Sequence, residues 1–343
     1  MDLNYITSKQ LKTGGVIKME ASDFQVEEVP LYLPTNTGQH VYLLIKRANL
    51  NTKDVVKSLR QCFKITEKDI GHAGLKDRNA ITTQWFSLSL GATKSLEEVQ
   101  SELSEACPEL EILEVSKHSN KLKLGHLIGN RFHIRLRQVN DNAFENAEKI
   151  YQELKEKGFP NYYGPQRFGS KGDNGENGKL MILGEKKVKS HFMKKLLISA
   201  YQSQLFNRWL NSRIEDGIFT ELIEGDLLQT NEGQRPFPFD PTKEHVNEFT
   251  QREISYTGPM FGYKVSTPEL IALEREQSIL NDEGIEMEIL KQKGIVGARR
   301  IARIFPGEFK MTKGDNFIDF SFILPTGCYA TTILREFMKS NEL

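Results

Sequence analysis

The chain has 343 residues, of which 38% are hydrophobic and 27% are charged, and its formal net charge is zero. This length suggests two domains, and the composition is that of an ordinary globular protein. No apolar run approaches the roughly 20 residues that a transmembrane helix needs, and the first twelve residues lack the apolar core of a secretory signal.

The first 137 residues are predicted to form mainly strands. Val41 to Lys46 is a short apolar run typical of a buried strand, and Trp85 to Leu90 is a second one. Between them, Thr52 is predicted to cap a helix. The apolar stripe of this helix comprises Val55, Val56, Leu59 and Phe63.

Residues 117–137 hold six Lys or Arg, three His and no acid, directly after a Glu-rich stretch. Apolar and basic residues alternate on both sides of Gly125 to Asn130, which predicts two strands joined by a loop, with one apolar and one basic face. Lys186 to Lys195 adds five lysines. Such segregation can produce a basic track on a neutral protein, although a single run of charge is more often a solvated face.

The second half of the chain alternates helices and loops before a last strand. Helices are predicted from Asp141 to Gly158, from Lys194 to Leu210, after Thr267-Pro268 and around Ile333. Loops are predicted over Phe159 to Gly178 and over Gly233 to Thr242. A strand is predicted over Ile318 to Leu324. Strands at both ends and helices between them predict an α+β domain that is interrupted by a long insertion.

Asp77 lies in a segment that opens with Gly71 and Gly74, and Lys76 and Arg78 flank it. Two neighbouring cations favour the ionised form of a carboxylate, and an ionised carboxylate can act as a nucleophile. The same cations could hold a phosphodiester, which makes Lys76 a candidate substrate-binding residue. The alternative from charge pattern alone is a solvated turn before a strand.

Five blocks of the chain, in order, resemble the tRNA pseudouridine synthase D family. They are Asp23 to Glu28, Gly74 to Gln84, Leu124 to Phe132, Asn161 to Gly169 and Leu324 to Glu336. The resemblance implies an α+β catalytic core with a mixed, mainly antiparallel sheet, interrupted by a large α/β insertion domain. We therefore expect the core at residues 1–155 plus 305–343 and the insertion at 156–304.

The resemblance also implies an activity, the isomerisation of uridine to pseudouridine in tRNA. For a short chain of the bacterial type, the expected target is uridine 13 of the D arm. The reaction involves no redox change and no group donor, so no cofactor and no metal are expected. The seven histidines show no HxxxH or HxH spacing, and the three cysteines lie far apart, as in a protein of the reducing cytoplasm.

Site residues follow from matching the family motifs position by position. Asp77 matches the catalytic aspartate, and Lys18 matches a basic residue that pairs with it. Phe24 and Asn130 match residues that contact the target nucleotide. Tyr329 stands where the family usually has a phenylalanine that packs on the target base, so it keeps an aromatic face and adds a hydroxyl.

Two further candidates have strong structural alternatives. Phe132 belongs to the motif of Asn130, but the alternation of its strand places it on the apolar face, which favours core packing. Arg167, in the block Gln166 to Gly169, is a candidate phosphate ligand or a structural salt bridge. Here the structural reading is slightly favoured.

Two other functions remain open at this point. One is an RNA-binding or tRNA-folding protein that no longer catalyses, for which the basic strands and scattered aromatics would serve equally well. The intact motif around Asp77 argues against it, because an unneeded carboxylate repels phosphate. The other is an aspartate-nucleophile hydrolase, which lacks the acidic metal ligands it would need. We expect tRNA as partner, no membrane and a monomer.

Overall fold

The computed structural model describes residues 3–76, 78–91, 94–231, 233 and 235–340. This part of the chain forms two compact units. The sheet unit comprises Gly14–Phe144 and Pro306–Gly327, and the helix-rich unit comprises the residues up to Thr13, Glu145–Phe305 and the residues from Cys328 onward. Both chain ends thus belong to the same unit as the middle segment. The predicted domains differ from this, because they place both ends in the catalytic core. The predicted domain boundaries stay a prediction.

The described residues form fifteen strands and nine α-helices. The strands are β1 (Gly14–Val16), β2 (Phe24–Pro30), β3 (His40–Ala48), β4 (Ile70–His72), β5 (Ile81–Leu88), β6 (Glu111–His118), β7 (Leu127–Val139), β8 (Phe159–Pro160), β9 (Leu227–Thr230), β10 (Phe237–Pro238), β11 (Ile254–Met260), β12 (Ala298–Ile301), β13 (Arg303–Ile304), β14 (Gly307–Gly314) and β15 (Phe317–Pro325). The helices are α1 (Thr52–Phe63), α2 (Leu96–Ala106), α3 (Ala143–Lys157), α4 (Asn174–Leu183), α5 (His191–Glu215), α6 (His245–Thr250), α7 (Leu270–Glu283), α8 (Met287–Gln292) and α9 (Ala330–Met338).

The sheet unit is built on one sheet with the strand order β14-β15-β7-β2-β5-β3-β6, to which β1 adds at β7 and β4 at β5. β2 pairs with β5 in parallel, and the other neighbours along this path are antiparallel. The predicted fold class, α+β with a mixed and mainly antiparallel sheet, is therefore confirmed.

Helices α1 and α2 cover β3 through one buried apolar cluster. Leu43 and Ile45 of β3 lie in it with Val55 and Leu59 of α1 and with Leu103 of α2, each fully buried. The predicted stripe of α1 is thus confirmed, but the predicted cap is wrong by one residue. Asn51 is the N-cap, and its side chain accepts a hydrogen bond from the Asp54 amide at 3.0 Å.

The helix-rich unit has a four-stranded sheet in the order β10-β9-β11-β12 and a two-stranded sheet of β8 and β13. Its core packs α5 against β11, with Phe206, Trp209 and Tyr256 in one buried cluster. At 25 residues α5 is longer than the helix predicted over 194–210. The added residues, 191–193 and 211–215, lie outside the apolar stripe on which the prediction was based.

Within this unit, α9 holds the N-terminal segment through buried polar side chains. Glu336 accepts from the backbone amide of Ile6 at 3.1 Å, and Arg335 donates to the carbonyl of Asn4 at 3.2 Å. Lys339 lies 3.2 Å from Glu336. Arg335 and Glu336 belong to the C-terminal family block, so part of that block anchors the chain end.

Two predicted elements are wrong, and one predicted helix begins later than expected. Residues 121–124 form no strand, because Leu122 donates its amide to the Ser87 side chain and Gly125 donates to the Ala73 carbonyl. Residues 174–178, predicted as loop, begin α4. The helix predicted to open at Thr267-Pro268 is present as α7, but it begins at Leu270, after an N-cap at Glu269 without a side-chain hydrogen bond.

The α4 error has a physical reason. Gly175 and Gly178 suggested a loop, but both lie in the helix where it meets α5. A Cβ at Gly178 would stand 2.2 Å from the Leu197 carbonyl oxygen, a backbone atom of α5. A Cβ at Gly175 would meet the end of the flexible Gln204 side chain, which can move aside. Gly178 therefore permits close packing of two helices rather than a turn.

Candidate active site

The candidate active site is the loop between β4 and β5. Asp77, the predicted catalytic residue, lies outside the described residues. The loop on both sides of it is described, and it leaves β4 at His72 and enters β5 at Ile81. The positions of its flanks show how the chain holds this loop.

Gln84 of β5 is a buried link between the loop and the rest of the sheet unit. Its Nε2 donates to the carbonyl of Gly74 at 2.8 Å. Its Oε1 accepts from the Thr52 hydroxyl at 3.1 Å and from the Arg47 guanidinium at 2.8 Å. Gln84 is fully buried, so each of these bonds replaces hydration that the side chain has lost.

The start of α1 binds the other side of the loop. The Thr52 Oγ1 atom accepts from the Lys76 amide at 2.8 Å, and the Thr52 amide faces the Lys76 carbonyl at 3.4 Å. Just before α1, the Asn49 amide donates to the Ala80 carbonyl at 3.2 Å. Residues 76 and 80 are thereby fixed on either side of Asp77.

Lys76 points into the protein and pairs with Glu28 of β2. Its Nζ lies 3.2 Å from the Glu28 Oε2 atom, and the two side chains are 6% and 1% exposed. Gln84 also donates to this Oε2, at 3.3 Å. Burial lowers the pKa of Lys76, and the Glu28 carboxylate opposes that shift. The cation predicted to bind substrate thus has an internal partner.

Arg78, the other cation beside Asp77, pairs with α1. Its guanidinium lies 2.9 Å from the Asp54 carboxylate. A backbone hydrogen bond from Asn51, together with Arg78, lowers the pKa of Asp54. Both cations that flank Asp77 therefore have carboxylate partners of their own. Their charge is partly balanced before any substrate binds, which the sequence pattern does not reveal.

Phe24, Asn130 and Phe132 share one face of the central sheet. The register of β2 and β7 places Val26 opposite Phe132 and Glu28 opposite Asn130. The rings of Phe24 and Phe132 meet edge to face, with centroids 6.1 Å apart. Both rings are 8% exposed, so the burial predicted for Phe132 is confirmed. Three predicted site residues thus come together beside Glu28.

Asn130 has a buried acceptor atom that the other described residues leave unused. Its Oδ1 has no hydrogen-bond partner among them, and the same holds for the Glu28 Oε1 atom on the neighbouring strand. Two buried acceptors on one face would stabilise a ligand that offers N–H or O–H groups. This is the polar character that a nucleobase site needs.

Lys18 lies near Phe24 on the approach to β2. Its Nζ stands 4.4 Å from the centroid of the Phe24 ring, a cation–π distance. Its backbone is left-handed, with φ of +61°, which is uncommon for lysine and fixes the direction of the side chain. The structure therefore places Lys18 with Phe24, as the family motifs predict for two residues of one site.

The basic face predicted on β7 is present but paired. Arg131 lies 2.7 Å from Glu308, and Arg135 lies 2.7 Å from Asp319. Arg137 lies 2.8 Å from the buried carboxylate of Asp23. The alternation of the strand is confirmed, since Ile134 and Leu136 are buried between these arginines. The positive charge of these three arginines is thus balanced within the protein, which the alternation of the strand does not reveal.

Tyr329 and Arg167 belong to the helix-rich unit. The Tyr329 ring meets the Tyr163 ring edge to face, with centroids 5.8 Å apart. Gly164 lies close beside it, since a Cβ there would stand 3.2 Å from the Tyr329 ring and 2.8 Å from the Thr331 hydroxyl. The block Asn161 to Gly169 and the C-terminal block thus meet at Tyr329.

The guanidinium of Arg167 is held by α5. Its Nε donates to the Ser203 hydroxyl at 3.0 Å, and a second nitrogen donates to the Ser199 hydroxyl. The group also lies 5.5 Å from the centroid of the Tyr163 ring. These contacts support the structural reading of Arg167 that the sequence slightly favours.

The residues that hold the loop were missed by sequence reasoning. The loop is held by a set of buried hydrogen bonds among Glu28, Arg47, Thr52 and Gln84. Of these four residues, only Gln84 lies in the motif around Asp77. The sequence does hold one signal: side chains alternate along β2, so Glu28 lies on the same face of the strand as Phe24. A charged residue at a core position of a strand warrants a search for its partner.

No group of three or more His, Cys, Asp or Glu side chains capable of holding a metal ion occurs among the described residues. Within the same residues, no helix is long and apolar enough to span a membrane. The expected absence of metal and cofactor stays a prediction.

Comparison with known proteins gives one consistent answer. The model of the family "tRNA pseudouridine synthase D (TruD)" matches residues 1–193 and 186–337. The tRNA pseudouridine synthase D of Anaeromyxobacter sp. (strain Fw109-5) is 37% identical over 99% of this chain and 97% of its own length. That of Thermus thermophilus is 38% identical over 99% of this chain and 93% of its own length.

A solved structure supports the fold. A crystal structure from Methanosarcina mazei, described as a candidate tRNA pseudouridine synthase D, superimposes with a TM-score of 0.77 at 23% identity. The match covers 98% of this chain and 96% of the other. At this identity the likeness concerns the fold.

Proposed function

We propose that this chain, which belongs to the tRNA pseudouridine synthase D family, converts uridine 13 of the tRNA D arm to pseudouridine with Asp77 as its catalytic carboxylate. Membership of the family makes the protein a tRNA pseudouridine synthase. The target nucleotide and the residue that acts on it are the finer points of the proposal.

The reaction needs no reagent other than the protein and water, but it needs accurate positioning of the substrate. The bond from uracil N1 to ribose C1′ breaks, the uracil turns, and a bond from its C5 to C1′ forms. The C5 proton leaves to water and N1 gains a proton, so atoms and electrons balance without an oxidant or donor. The protein must extract the base, which costs a few kcal/mol, and then hold a detached uracil.

The observation that carries the proposal is the way the Asp77 loop is held. Gln84 binds the loop at Gly74, and Thr52 binds it at Lys76. Such fixation from buried side chains is what a carboxylate needs if it must meet C1′ within a fraction of an ångström. Asp77 acts either by attack on C1′ or by removal of a ribose proton, and both routes need this positioning.

The neighbouring residues have distinct parts in the proposal. Lys18 pairs with Asp77, and Phe24 and Asn130 contact the target nucleotide. Phe132 supports Phe24 from the core side, and Lys76 holds the loop more than it binds substrate. Tyr329 supplies an aromatic face for the base, as its match to the family position suggests.

Arg167 supports the Tyr163 side of the helix-rich unit rather than a phosphate. The protein is further proposed to act as a monomer in the cytoplasm, without metal or cofactor, since the reaction needs none. The three cysteines fit that compartment by their spacing, because they lie far apart in the sequence.

The test uses unmodified tRNA transcripts with tritium at C5 of their uridines, in a buffer that contains a chelator. Wild type should release tritium to water, because the new bond at C5 displaces it. Asp77→Ala and Asp77→Asn should release less than about one thousandth as much, a loss of roughly 4 kcal/mol or more in transition-state stabilisation. Asp282→Asn, which removes an exposed carboxylate, serves as the matched control.

Sequencing the product RNA then locates the pseudouridine. Modification at uridine 13 supports the proposed target. Modification at another uridine rejects that target but leaves the pseudouridine synthase activity established. Tritium release by Asp77→Ala would reject the catalytic assignment. Release by neither wild type nor variant, despite binding, would favour the non-catalytic RNA-binding protein.

A further inference from the structure

The lysine run, residues 186–195, is the second basic segment of the sequence. It joins α4 to α5 and includes the first turn of α5. All five of its lysines are exposed, and no acidic residue lies within it. Its charge is therefore presented to solvent over ten consecutive residues.

Four of these lysines form no ion pair with any described residue: Lys187, Lys189, Lys194 and Lys195. Ion pairs elsewhere in the helix-rich unit involve other cations, such as Lys179 and Arg208 with Glu283. Lys186 donates to the side chain of Asn177, which leaves its charge uncompensated as well. Strong positive charge on this surface thus lacks the internal partners found on β7.

The position of the run is unfavourable for the helix that it begins. The N-terminus of a helix carries partial positive charge, and acids are favoured there. The first turns of α1, α2 and α3 hold Asp54, Glu98 and Glu145, respectively. The first turn of α5 holds no acid, as in α7 and α9, and Lys194 and Lys195 follow closely. These lysines therefore add positive charge where the helix terminus already carries it.

An exposed aromatic side chain lies inside the run. Phe192 is 64% exposed, although phenylalanine usually avoids water. Aromatic faces between cations are typical of surfaces that bind nucleic acids, where phosphates meet the lysines and unpaired bases stack on the rings. An acidic protein would match the lysines but would gain less from the exposed ring.

We propose that the lysine run binds phosphates of the tRNA backbone at a place apart from the target nucleotide. The proposal rests on tRNA as the substrate and adds the surface by which the helix-rich unit holds it. Lysine acts there as a point charge, so the contact provides affinity and orientation rather than base sequence.

The test compares two variants with the same change in charge. The run variant replaces Lys187, Lys189, Lys194 and Lys195 by Gln. The control variant replaces four exposed lysines elsewhere in the helix-rich unit by Gln, namely Lys149, Lys155, Lys291 and Lys293. Binding of an unmodified tRNA transcript is measured between about 0.05 and 0.3 M salt, the range in which phosphate contacts dominate.

For the run variant we expect the slope of log K against log salt to fall in magnitude by about 3, or roughly 0.7–0.9 per lost contact. Its affinity near 0.15 M salt should fall more than about tenfold, and that of the control variant less than about threefold. Its melting temperature should stay equal or rise slightly, since like charges leave a helix N-terminus.

Equal losses in the two variants would overturn the proposal, because they would reflect net charge alone. An unchanged slope in the run variant would overturn it as well. A second measurement avoids any folding defect: acetylation of wild-type lysines with and without tRNA. Protection of Lys187 to Lys195 but not of Lys149 or Lys293 is expected, and uniform protection or none would contradict the proposal. Tritium release by wild type is read separately, so either proposal can fail alone.

Discussion

The arginines of β7 and the lysines of residues 186–195 look alike in sequence and differ in structure. Arg131, Arg135 and Arg137 each face a carboxylate, whereas none of the five lysines in the run has an ionic partner in the described chain. The carboxylates that neutralise β7 come from residues far away in sequence, such as Asp319. A run of basic residues therefore predicts a binding surface only after its spatial neighbours are known.

Paired and unpaired cations also differ in what they can do. A cation with a carboxylate partner must break that pair before it can bind a phosphate, and a buried pair is the most costly to break. Lys76 and Glu28 are the extreme case, at 6% and 1% exposure. The comparison thus separates cations that hold the protein together from cations that can hold RNA, and it can be challenged experimentally.

The largest expected effect is at the buried pair. Glu28→Gln leaves the charge of Lys76 buried without a partner, and we expect a loss of about 3–5 kcal/mol in the free energy of unfolding. Gln84, which holds the loop at Gly74, also loses its bond to the Glu28 carboxylate. The rate constant for tritium release should therefore fall at temperatures where the variant is still folded. Urea denaturation and single-turnover kinetics measure the two effects.

A second substitution shows whether the charge is responsible. Adding Lys76→Met to Glu28→Gln removes the unpaired cation and should recover more than half of the lost stability. If the double variant is no more stable than Glu28→Gln, the pair does not hold the loop in the way we describe.

A smaller effect concerns pH and the imidazole that precedes the loop. Burial lowers the pKa of His72 from its ordinary 6.5, and Lys76 adds to that lowering. The folded protein therefore keeps His72 neutral where the unfolded chain takes up a proton. Its contribution to stability should be complete above pH 6.5 and decline as the pH falls below that value, by at most about 1.4 kcal/mol per pH unit.

Urea denaturation at about pH 7.5, 6.5 and 5.5 tests this, with His72→Asn as the comparison. The variant should lose less stability than wild type over this range, because one group that takes up a proton on unfolding is gone. Parallel pH profiles of the two proteins would show that His72 is not kept neutral by the fold. His40, whose pKa burial also lowers, contributes equally to both profiles.

The smallest effect is expected at the exposed pairs of β7. Arg135 and Asp319 are each more than a third exposed, so Arg135→Gln should cost about 0–1 kcal/mol of stability. Its affinity for tRNA should stay within about threefold of wild type, measured as for the lysine run. If Arg135→Gln lost as much tRNA affinity as the substitution of one lysine of the run, paired arginines would bind RNA too. The distinction between paired and unpaired cations would then be wrong.

The sequence predicts the elements of this fold well where periodicity is strong. β3, β15 and α1 appear as their patterns predict, because alternation and helical spacing reflect which side must be buried. Prediction from the sequence fails where one residue type occurs in two kinds of structure. Gly175 and Gly178 suggest a loop but lie in α4, where Gly178 permits close helix packing, and the leucines at 122 and 124 alternate without forming a strand.

For the candidate site, the motifs identify Phe24, Asn130 and Phe132, which the structure brings onto one sheet face. The support of the Asp77 loop could not be predicted, because Glu28, Thr52 and Gln84 meet only through three-dimensional pairing. Ion pairs depend on such pairing in the same way, so the carboxylate partners of the β7 arginines could not be predicted either.

The central claim is that chemistry depends on the sheet unit, through Asp77, and that tRNA is held in part by lysines of the helix-rich unit. One measurement tests it most directly: single-turnover tritium release from tRNA at increasing enzyme concentration, for Asp77→Asn and for the run variant side by side. Asp77→Asn should lose the rate constant at saturation while its half-saturation concentration stays near that of wild type. The run variant should show the opposite, a half-saturation concentration raised more than about tenfold with the saturated rate constant unchanged. A run variant that stays slow at saturation, or an Asp77→Asn protein that no longer binds tRNA, would contradict the account.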